Sequence, residues 1–238
     1  MLWLLFLVLV VPVILLRAMG RPWFWRHAIR RFEALDRVAP PKPGVIVFTG
    51  SSSINFWNTL VDDMKPLEVI NRGFGGSQLA QVNYHATRIV LPYRPRAVVL
   101  YAGENDLAWP WSKTPQMVFS DFKSFVALVQ GALPQVFIYF ISIKPSPRRR
   151  RQLPRQREAN RMIEEFCRAQ ARVQFIDVAT AMLDKDGEPR AELFAGDRLH
   201  PNARCYELWT SIIKPILLRQ FEVAPAATQT ASPVQTSP

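Results

Sequence analysis

The stretch GVIVFTGSSSINFW, residues 44–57, decides the fold of this chain. An apolar run leads into a glycine and three serines, and apolar residues resume directly afterwards. A continuous apolar run is typical of a parallel strand that is buried on both faces, and serine favours the start of a helix. The stretch therefore predicts a strand, a turn and a helix, with a candidate nucleophile among the three serines.

The same pattern recurs along the chain. Four further apolar runs, each bounded by turn residues, occupy residues 67–71, 96–103, 135–143 and 173–178. The stretches with helical character between and after the runs are residues 54–63, 77–91, 115–133, 157–171 and 203–221. This alternation predicts a three-layer α/β/α sandwich around a five-stranded parallel sheet, with right-handed crossovers.

An uncharged apolar run at residues 2–16 precedes this domain. As a helix it would span about 22 Å, and extending it to residue 25 approaches the ~30 Å of a bilayer core. Trp23 and Trp25 would then lie at the level of the lipid headgroups. We predict an N-terminal transmembrane anchor over residues 1–25. A signal peptide is the alternative, but a basic start and a small-residue cleavage site are missing.

The remaining boundaries follow from composition. Residues 26–43 are predicted to form a basic juxtamembrane helix and a Pro-rich linker, the helix lying along the membrane surface. Residues 44–221 form the predicted domain, and residues 222–238 a disordered tail. The basic flank after the apolar run favours a cytoplasmic domain by the positive-inside rule, and a periplasmic or other extracytoplasmic placement is the alternative.

The formal net charge of +11 lies in two segments. Residues 1–43 carry seven basic and two acidic residues, residues 146–157 carry six arginines and no acid, and the rest of the chain has 17 of each sign. This distribution argues against an extended nucleic-acid-binding face. Membrane lipids are the predicted partner of the anchor and both basic segments, although the arginine segment, residues 146–157, can equally be a solvated loop. The oligomeric state stays open.

Cysteine and histidine usage predicts no metal site. Cys167 and Cys205 lack metal-ligand spacing, and one disulfide between them stays open. His85 falls in a predicted helix, where we expect a packed or surface residue. No cofactor or metal is predicted.

Polar motifs follow the predicted strands. GSSS comes after the first strand, NRGFGGS after the second, GEND after the third, and DRLHPN late in the chain. Each motif alone has a structural explanation, because serines cap helices, glycines permit positive φ and Asn-Asp pairs form turns. Ligands of open parallel sheets bind at the carboxyl ends of the strands. The convergence of these motifs there predicts an active site.

A serine nucleophile needs a base, and the base needs an orienting group. Asp197 and His200 are three residues apart, so the carboxylate can reach the imidazole. Glu104 and Asp106 are too close in sequence to form the facing carboxylate pair of a glycosidase. A metal site built from Asp106, Asp197 and His200 has no supporting pattern.

The segments FTGSSSI, NRGFGGS, GEND and DRLH resemble, in this order, the four blocks of the SGNH hydrolases, also called the GDSL esterase/lipase family. The resemblance covers residues 45–218. It implies the flavodoxin-like fold of that family, with Ser52 as the nucleophile and Asp197 and His200 completing the triad. Gly76 and Asn105 would form the oxyanion hole together with the Ser52 amide.

The resemblance has one departure. Ser51 stands where the family usually has aspartate, which leaves the triad and the oxyanion donors intact. Ser53 is expected to serve the turn or cap the helix. The predicted function is a serine esterase acting through an acyl-serine intermediate, on a lipid-type or lysophospholipid ester near the membrane. The alternatives are a sugar O-acetylesterase or an acyltransferase of the same fold, or a non-catalytic membrane-tethered binding module.

Overall fold

The computed structural model describes residues 20–108 and 113–221. Its parallel strands are β1 (Ile46–Gly50), β2 (Val69–Gly73), β3 (Ala97–Tyr101), β4 (Phe137–Ile141) and β5 (Val173–Ile176). They form one sheet in the order β2-β1-β3-β4-β5. The predicted α/β architecture with a five-stranded parallel sheet is thus confirmed. The strand order reverses between β1 and β3, which is where open α/β sheets form a binding crevice.

Helices cover both faces of this sheet. The α-helices are α1 (Arg26–Val38), α2 (Ser52–Asn55), α3 (Leu60–Asp63), α4 (Leu79–Ile89), α5 (Glu104–Ala108), α6 (Pro115–Ala132), α7 (Leu153–Arg168) and α8 (Ala203–Phe221). Short 3-10 helices lie at Pro22–Trp25, Leu91–Tyr93, Pro147–Gln152, Thr180–Met182 and Ala191–Leu193.

Two hydrophobic cores result, one on each face. Helices α1, α4, α6 and α7 pack on one face, and α2, α3 and α8 on the other. Alternate residues of one strand serve different cores: Val47 of β1 faces the first, and Ile46 and Phe48 face the second. Burial on both faces explains why the strands appear in the sequence as continuous apolar runs.

The helix predicted at residues 54–63 is wrong, because two single-turn helices, α2 and α3, take its place. The side-chain amide of Asn71 in β2 donates hydrogen bonds to the carbonyls of Ile54 at 2.6 Å and Trp57 at 3.5 Å. Each of these carbonyls also accepts a backbone N–H from three residues further on, so a side chain from the sheet and tight turns take the place of the bonds of a continuous α-helix.

The arginine segment also differs from the predicted loop. Its first part is the 3-10 helix Pro147–Gln152, which leads directly into α7, so that helix begins at Leu153 and not at residue 157. Pro147 and Pro154 stand in the first turns of these two helices. Proline suits that position because its fixed φ is helical and its missing N–H would have no partner there.

The chain before β1 is partly described. Residues 1–19 of the predicted anchor and the predicted tail at 222–238 lie outside the described residues. Trp25 is buried, and its indole donates to Gln81 Oε1 at 2.9 Å. The prediction that Trp25 lies at the level of the lipid headgroups is therefore wrong. In residues 20–108 and 113–221, no helix combines the length and the apolar character that crossing a bilayer requires.

Helix α1, the predicted amphipathic helix, packs on the body of the domain. Ile29 is fully buried in the first core. Asp36 accepts hydrogen bonds from Arg72 of β2 and from Tyr93, and Glu33 accepts two from Arg88 of α4, at 2.7 and 2.8 Å. One face of α1 therefore contacts the sheet layer and the helix beside it.

Cys167 and Cys205 are buried free thiols in different cores. The sheet separates the two side chains, so they form no disulfide with each other. Burial raises the pKa of each thiol to about 12, which makes both poor nucleophiles.

Candidate active site

The predicted site lies at the carboxyl edge of the sheet, where β1 turns into α2. Gly50, the last residue of β1, has a φ of +131°, and a Cβ there would lie 1.8 Å from the Tyr101 carbonyl oxygen of β3. Only glycine fits this turn. The next residues carry the chain over the sheet edge, and Ser52 begins α2.

The structure brings Ser52, His200 and Asp197 together in a hydrogen-bonded row. The Ser52 hydroxyl lies 3.0 Å from His200 Nε2, and His200 Nδ1 lies 2.5 Å from Asp197 Oδ2. With its Nδ1–H donated to the carboxylate, the neutral imidazole presents a lone pair on Nε2 to the serine hydroxyl. This is the arrangement in which a histidine can take the proton of a serine nucleophile.

The backbone of its own turn holds Asp197 in place. The N–H groups of Leu199 and His200 both donate to Asp197 Oδ1 at 3.0 Å, and Arg198 adopts a left-handed conformation with φ of +60°. Desolvation opposes ionisation, but the two amides and the imidazole lower the pKa of Asp197 to about 2. The carboxylate is therefore ionised above about pH 3 and can orient the imidazole.

Asn105, the predicted oxyanion donor, is almost fully buried in the first turn of α5, just after β3. Its Nδ2 donates to the Ser77 carbonyl at 3.0 Å, and Arg149 donates to its Oδ1 at 3.0 Å. These contacts determine which end of the amide is the donor, and they leave the second N–H of Nδ2 for a ligand. Among the described residues, none accepts a hydrogen bond from the backbone N–H of Ser52 or Gly76.

The glycine loop after β2 lies against the nucleophile. A Cβ at Gly75 would be 3.9 Å from the Ser52 Cβ, and Gly76 has a φ of +78°. Ser77 is fully buried, and its hydroxyl donates to the Gly50 carbonyl at 3.1 Å. This bond ties the loop to the end of β1 and so holds Gly76 near Ser52. The catalytic roles of the five residues stay a prediction.

The other two serines have structural positions. Ser51 is the N-cap residue of α2, forms no side-chain cap hydrogen bond, and donates its N–H to the Tyr101 carbonyl at 2.9 Å. Ser53 is buried inside α2, and its carbonyl accepts from the Tyr206 hydroxyl at 3.0 Å. Of the two roles predicted for Ser53, the turn or the helix cap, the cap is wrong, because Ser51 is the N-cap residue and Ser53 lies inside the single turn of α2.

Sequence reasoning missed a buried ion-pair network beneath the site. Lys144 is fully buried and donates to Glu104 Oε2 and to the Leu199 carbonyl, both at 2.8 Å. The Tyr101 hydroxyl donates to the same carboxylate at 2.8 Å, and Arg149 lies 3.4 Å from its Oε1. Burial alone would raise the pKa of Glu104, but Lys144 and Arg149 outweigh it and lower that pKa.

This network joins the GEND loop to the DRLH turn. Lys144 bridges them directly, because one of its bonds goes to Glu104 and another to the residue before His200. A signal was present in the sequence, where a single lysine follows the apolar run FIYFISI at the carboxyl end of β4. For the arginine segment, sequence reasoning had offered membrane lipids or a solvated loop, whereas the Arg149 side chain contacts Asn105 and Glu104.

Asp106 and His85 are accounted for by packing. Asp106 is buried, accepts from the Leu79 amide at the start of α4, and pairs with Lys113 Nζ at 2.9 Å. His85 Nε2 lies 3.0 Å from the Pro22 carbonyl, and burial lowers the pKa of its ring. Within the described part of the chain, no cluster of three or more His, Cys, Asp or Glu side chains could hold a metal ion.

Comparisons with known proteins identify a matching family and solved structures of the same fold. The sequence model of the GDSL-like Lipase/Acylhydrolase family matches residues 33–208. No curated protein matches the sequence. Among solved structures, a GDSL-like lipase from Bacteroides thetaiotaomicron is 22% identical, with a TM-score of 0.69, over 81% of this chain and 98% of that one.

Two other solved structures have the same fold. A lipase/acylhydrolase from Enterococcus faecalis is 21% identical, with a TM-score of 0.64, over 74% of this chain and 96% of that one. A carbohydrate esterase family 3 protein from Talaromyces cellulolyticus is 17% identical, with a TM-score of 0.61, over 74% and 97%. At these identities the likeness establishes the fold.

Proposed function

Because this chain belongs to the GDSL-like lipase/acylhydrolase family, we propose that it hydrolyses carboxylic esters through an acyl-Ser52 intermediate. The observation that carries the proposal is the row of hydrogen bonds from Asp197 through His200 to Ser52. A buried carboxylate pair or a metal-bound water would need other residues at this edge. A serine, a histidine and an aspartate in contact suit acyl transfer.

The first half of the reaction forms the acyl-enzyme. As Ser52 Oγ attacks the carbonyl carbon, its proton passes to His200 Nε2, and Asp197 stabilises the resulting imidazolium. The carbonyl oxygen becomes an oxyanion, for which the amides of Ser52 and Gly76 and the free N–H of Asn105 are the donors. Collapse of this intermediate breaks the ester C–O bond, and the leaving alkoxide takes the proton from His200.

The second half releases the acid. Water enters, gives a proton to His200, and attacks the acyl carbon, which forms a second oxyanion in the same hole. Collapse then breaks the bond to Ser52 Oγ, and the proton returns from His200 to the serine. The products are the free carboxylic acid and the regenerated hydroxyl, and the cycle needs only water as co-substrate.

Lipid-type esters, including lysophospholipids, are the substrate class that we propose, with the apolar run at residues 2–16 anchoring the chain to a membrane. The support is the anchor sequence itself and the exposed basic side chains that follow it. The arginine segment supports membrane contact less than its composition suggested, because several of its side chains bind the protein.

The test is hydrolysis of p-nitrophenyl acetate, butyrate and laurate by the full-length chain beside Ser52→Ala. We expect the substitution to lower kcat/KM by about 10⁴-fold and to abolish labelling by a fluorophosphonate probe, because the Ser52 hydroxyl is the group in contact with the His200 base. Ser51→Ala, one residue away, is the matched control and should keep most of the activity.

Other outcomes would separate the alternatives. Activity that survives in Ser52→Ala would rule out this nucleophile. A folded wild type that neither hydrolyses an ester nor reacts with the probe would favour the binding module. Activity confined to acetate esters, rising on acetylated sugars, would favour the O-acetylesterase, and ester products in the presence of an added alcohol would favour the acyltransferase.

A further inference from the structure

A groove of about 610 Å³ opens beside the predicted nucleophile, between α1 and the segment that holds α2 and α3. This volume falls within the range of small-ligand pockets. The described side chains that line it include aromatic and aliphatic groups from both walls, together with His27, Arg31 and three asparagines, and no carboxylate. None of the triad residues lies in its walls, so the groove is a feature separate from the catalytic row.

The inner end of the groove is continuous with the site. Gly75 and Phe56 both line it. A Cβ at Gly75 would be 3.9 Å from the Ser52 Cβ, and the Phe56 ring packs edge-on against the His200 ring with centroids 4.9 Å apart. A chain attached to a carbonyl carbon at Ser52 can therefore pass directly into the groove.

Helix α1 supplies one complete wall. Ala28, Phe32 and Leu35 line the groove, and their spacing of four and three residues places them on one stripe of the helix. The neighbouring stripe, with Ile29 and Asp36, docks α1 on the domain. The helix thus presents one face to the protein core and an adjacent face to the groove, where an apolar stripe runs beside His27 and Arg31.

Several large apolar side chains on this groove are left exposed to water. Leu35 is 54% exposed, Val61 is 52% and Phe56 is 46%. They come from α1, from α3 and from the turn after α2, so three separate segments bring apolar surface to one place. Exposed apolar surface gathered around a concavity is typical of a binding site for an apolar ligand.

We propose that this groove binds the acyl chain of the substrate, and that Leu35, Val61 and Ala28 set the preferred chain length. The proposal rests on the proposed function, because it places the carbonyl end of the ligand at Ser52. The ligand is a single extended alkyl chain. Its affinity comes from burial of methylene groups against these side chains.

The experiment is a chain-length profile. Values of kcat/KM for p-nitrophenyl acetate, butyrate, octanoate and laurate are measured for the full-length chain in one detergent, below the critical micelle concentration of each ester. The variants are Val61→Trp, which fills the groove, and Leu35→Gln, which makes its wall polar without reducing its volume. Met117→Gln, a change of an equally exposed apolar residue on α6, is the matched control.

We expect wild-type kcat/KM to rise from acetate to octanoate. Val61→Trp and Leu35→Gln should lower the laurate value by roughly tenfold or more and leave the acetate value unchanged, because only long chains enter the groove. The control should keep the wild-type profile. Unchanged acetate hydrolysis also shows that each variant is folded.

Two results would overturn the proposal while leaving the serine esterase intact. One is a Ser52-dependent activity that is independent of chain length in the wild type, which would assign the groove to another occupant, such as the apolar run at residues 2–16. The other is a uniform change at every chain length in both variants. Absence of any Ser52-dependent hydrolysis or probe labelling would instead reject the proposed function itself, and the acyl-chain site with it.

Discussion

The two arginine-rich segments of this protein are both strongly basic, but their arginine side chains differ in what they contact. In the N-terminal segment, residues 20–38, the acidic side chains Glu33 and Asp36 bind the domain, through Arg88 and Arg72. The arginine side chains of that segment form no ion pair or hydrogen bond with a described residue: these are Arg21, Arg26, Arg30, Arg31 and Arg37.

In the arginine segment, residues 146–157, the arginines themselves bind the protein. Arg149 contacts Asn105 and Glu104, and Arg150 pairs with Glu188. Arg155 and Arg157 donate to backbone carbonyls. Net charge counted along a segment therefore does not tell whether its cations face solvent or hold the structure together.

The largest effect is expected at Arg149, whose contact orients the Asn105 amide. Arg149→Leu should lower kcat by about a hundredfold with KM changed by less than about threefold. The reason is that a misoriented Asn105 amide stabilises the oxyanion of the transition state less, while binding of the ground-state substrate changes little. Arg151→Leu, an exposed neighbour in the same 3-10 helix, is the control. Equal losses in the two variants, or a loss confined to KM, would contradict a positioning role.

The next largest effect is a loss of stability, which we expect on substitution of Asp36. Asp36→Asn removes the counter-ion of Arg72, which is only 7% exposed. Leaving that cation with a neutral partner should lower stability by about 2 kcal/mol, and hence the Tm by about 5 °C. Arg37→Gln, the next residue on the exposed side of α1, should leave the Tm unchanged, and thermal unfolding of both full-length variants tests this. An unchanged Tm in Asp36→Asn would mean that α1 is not docked through this pair.

A smaller loss is expected at Arg155, which donates to the carbonyls of Leu107 at 3.2 Å and Lys113 at 2.5 Å. Arg155→Ala removes donors from two backbone carbonyls and should cost about 1–2 kcal/mol, or about 3 °C in Tm. Arg157→Ala, also on α7, loses only a 3.3 Å bond to Gly187 and should change the Tm by less. A larger loss of Tm in Arg157→Ala than in Arg155→Ala would contradict this prediction.

The smallest effect on the fold is expected for the arginines of α1 that face solvent. Replacing Arg26, Arg30 and Arg37 together by Gln should leave the Tm and acetate hydrolysis unchanged, since none has a described partner. If this surface faces an anionic membrane, binding to phosphatidylserine vesicles should weaken by about 1 kcal/mol per arginine, more so at low salt. The control is the replacement of Arg148 and Arg151 by Gln. A larger loss of vesicle binding in this control would mean that the arginine segment, and not α1, faces the membrane.

Local patterns were sufficient to predict the strands and the site motifs. The strands β1, β3 and β4 are nearly continuous apolar runs because both of their faces are buried. The motifs GSSS, NRGFGGS and GEND stand at the carboxyl ends of β1, β2 and β3, so sequence position alone locates them at the sheet edge. Asp197 and His200 lie beyond two 3-10 helices after β5, so they were identified from their spacing and from the resemblance to the family blocks, and not from strand position. Parallel strands bring their carboxyl ends together whatever the distance between them along the chain.

The features that were missed depend on partners far away in sequence. Asp36 and Arg72 are 36 residues apart, and Arg149 and Asn105 are 44 apart, and no periodicity marks either pair. The break between α2 and α3 likewise depends on Asn71, a residue of the neighbouring strand. Docking of α1 and the groove beside it therefore required the three-dimensional structure.

The distance of 148 residues between Ser52 and His200 has a consequence for synthesis of the protein. Translation produces β1, β2 and β3 first, and with them the serine and the asparagine. The histidine emerges only after β5, shortly before the final helix. On the proposed mechanism, a partly synthesised chain would therefore carry a serine without its base, and hydrolysis would begin only when nearly the whole domain has left the ribosome.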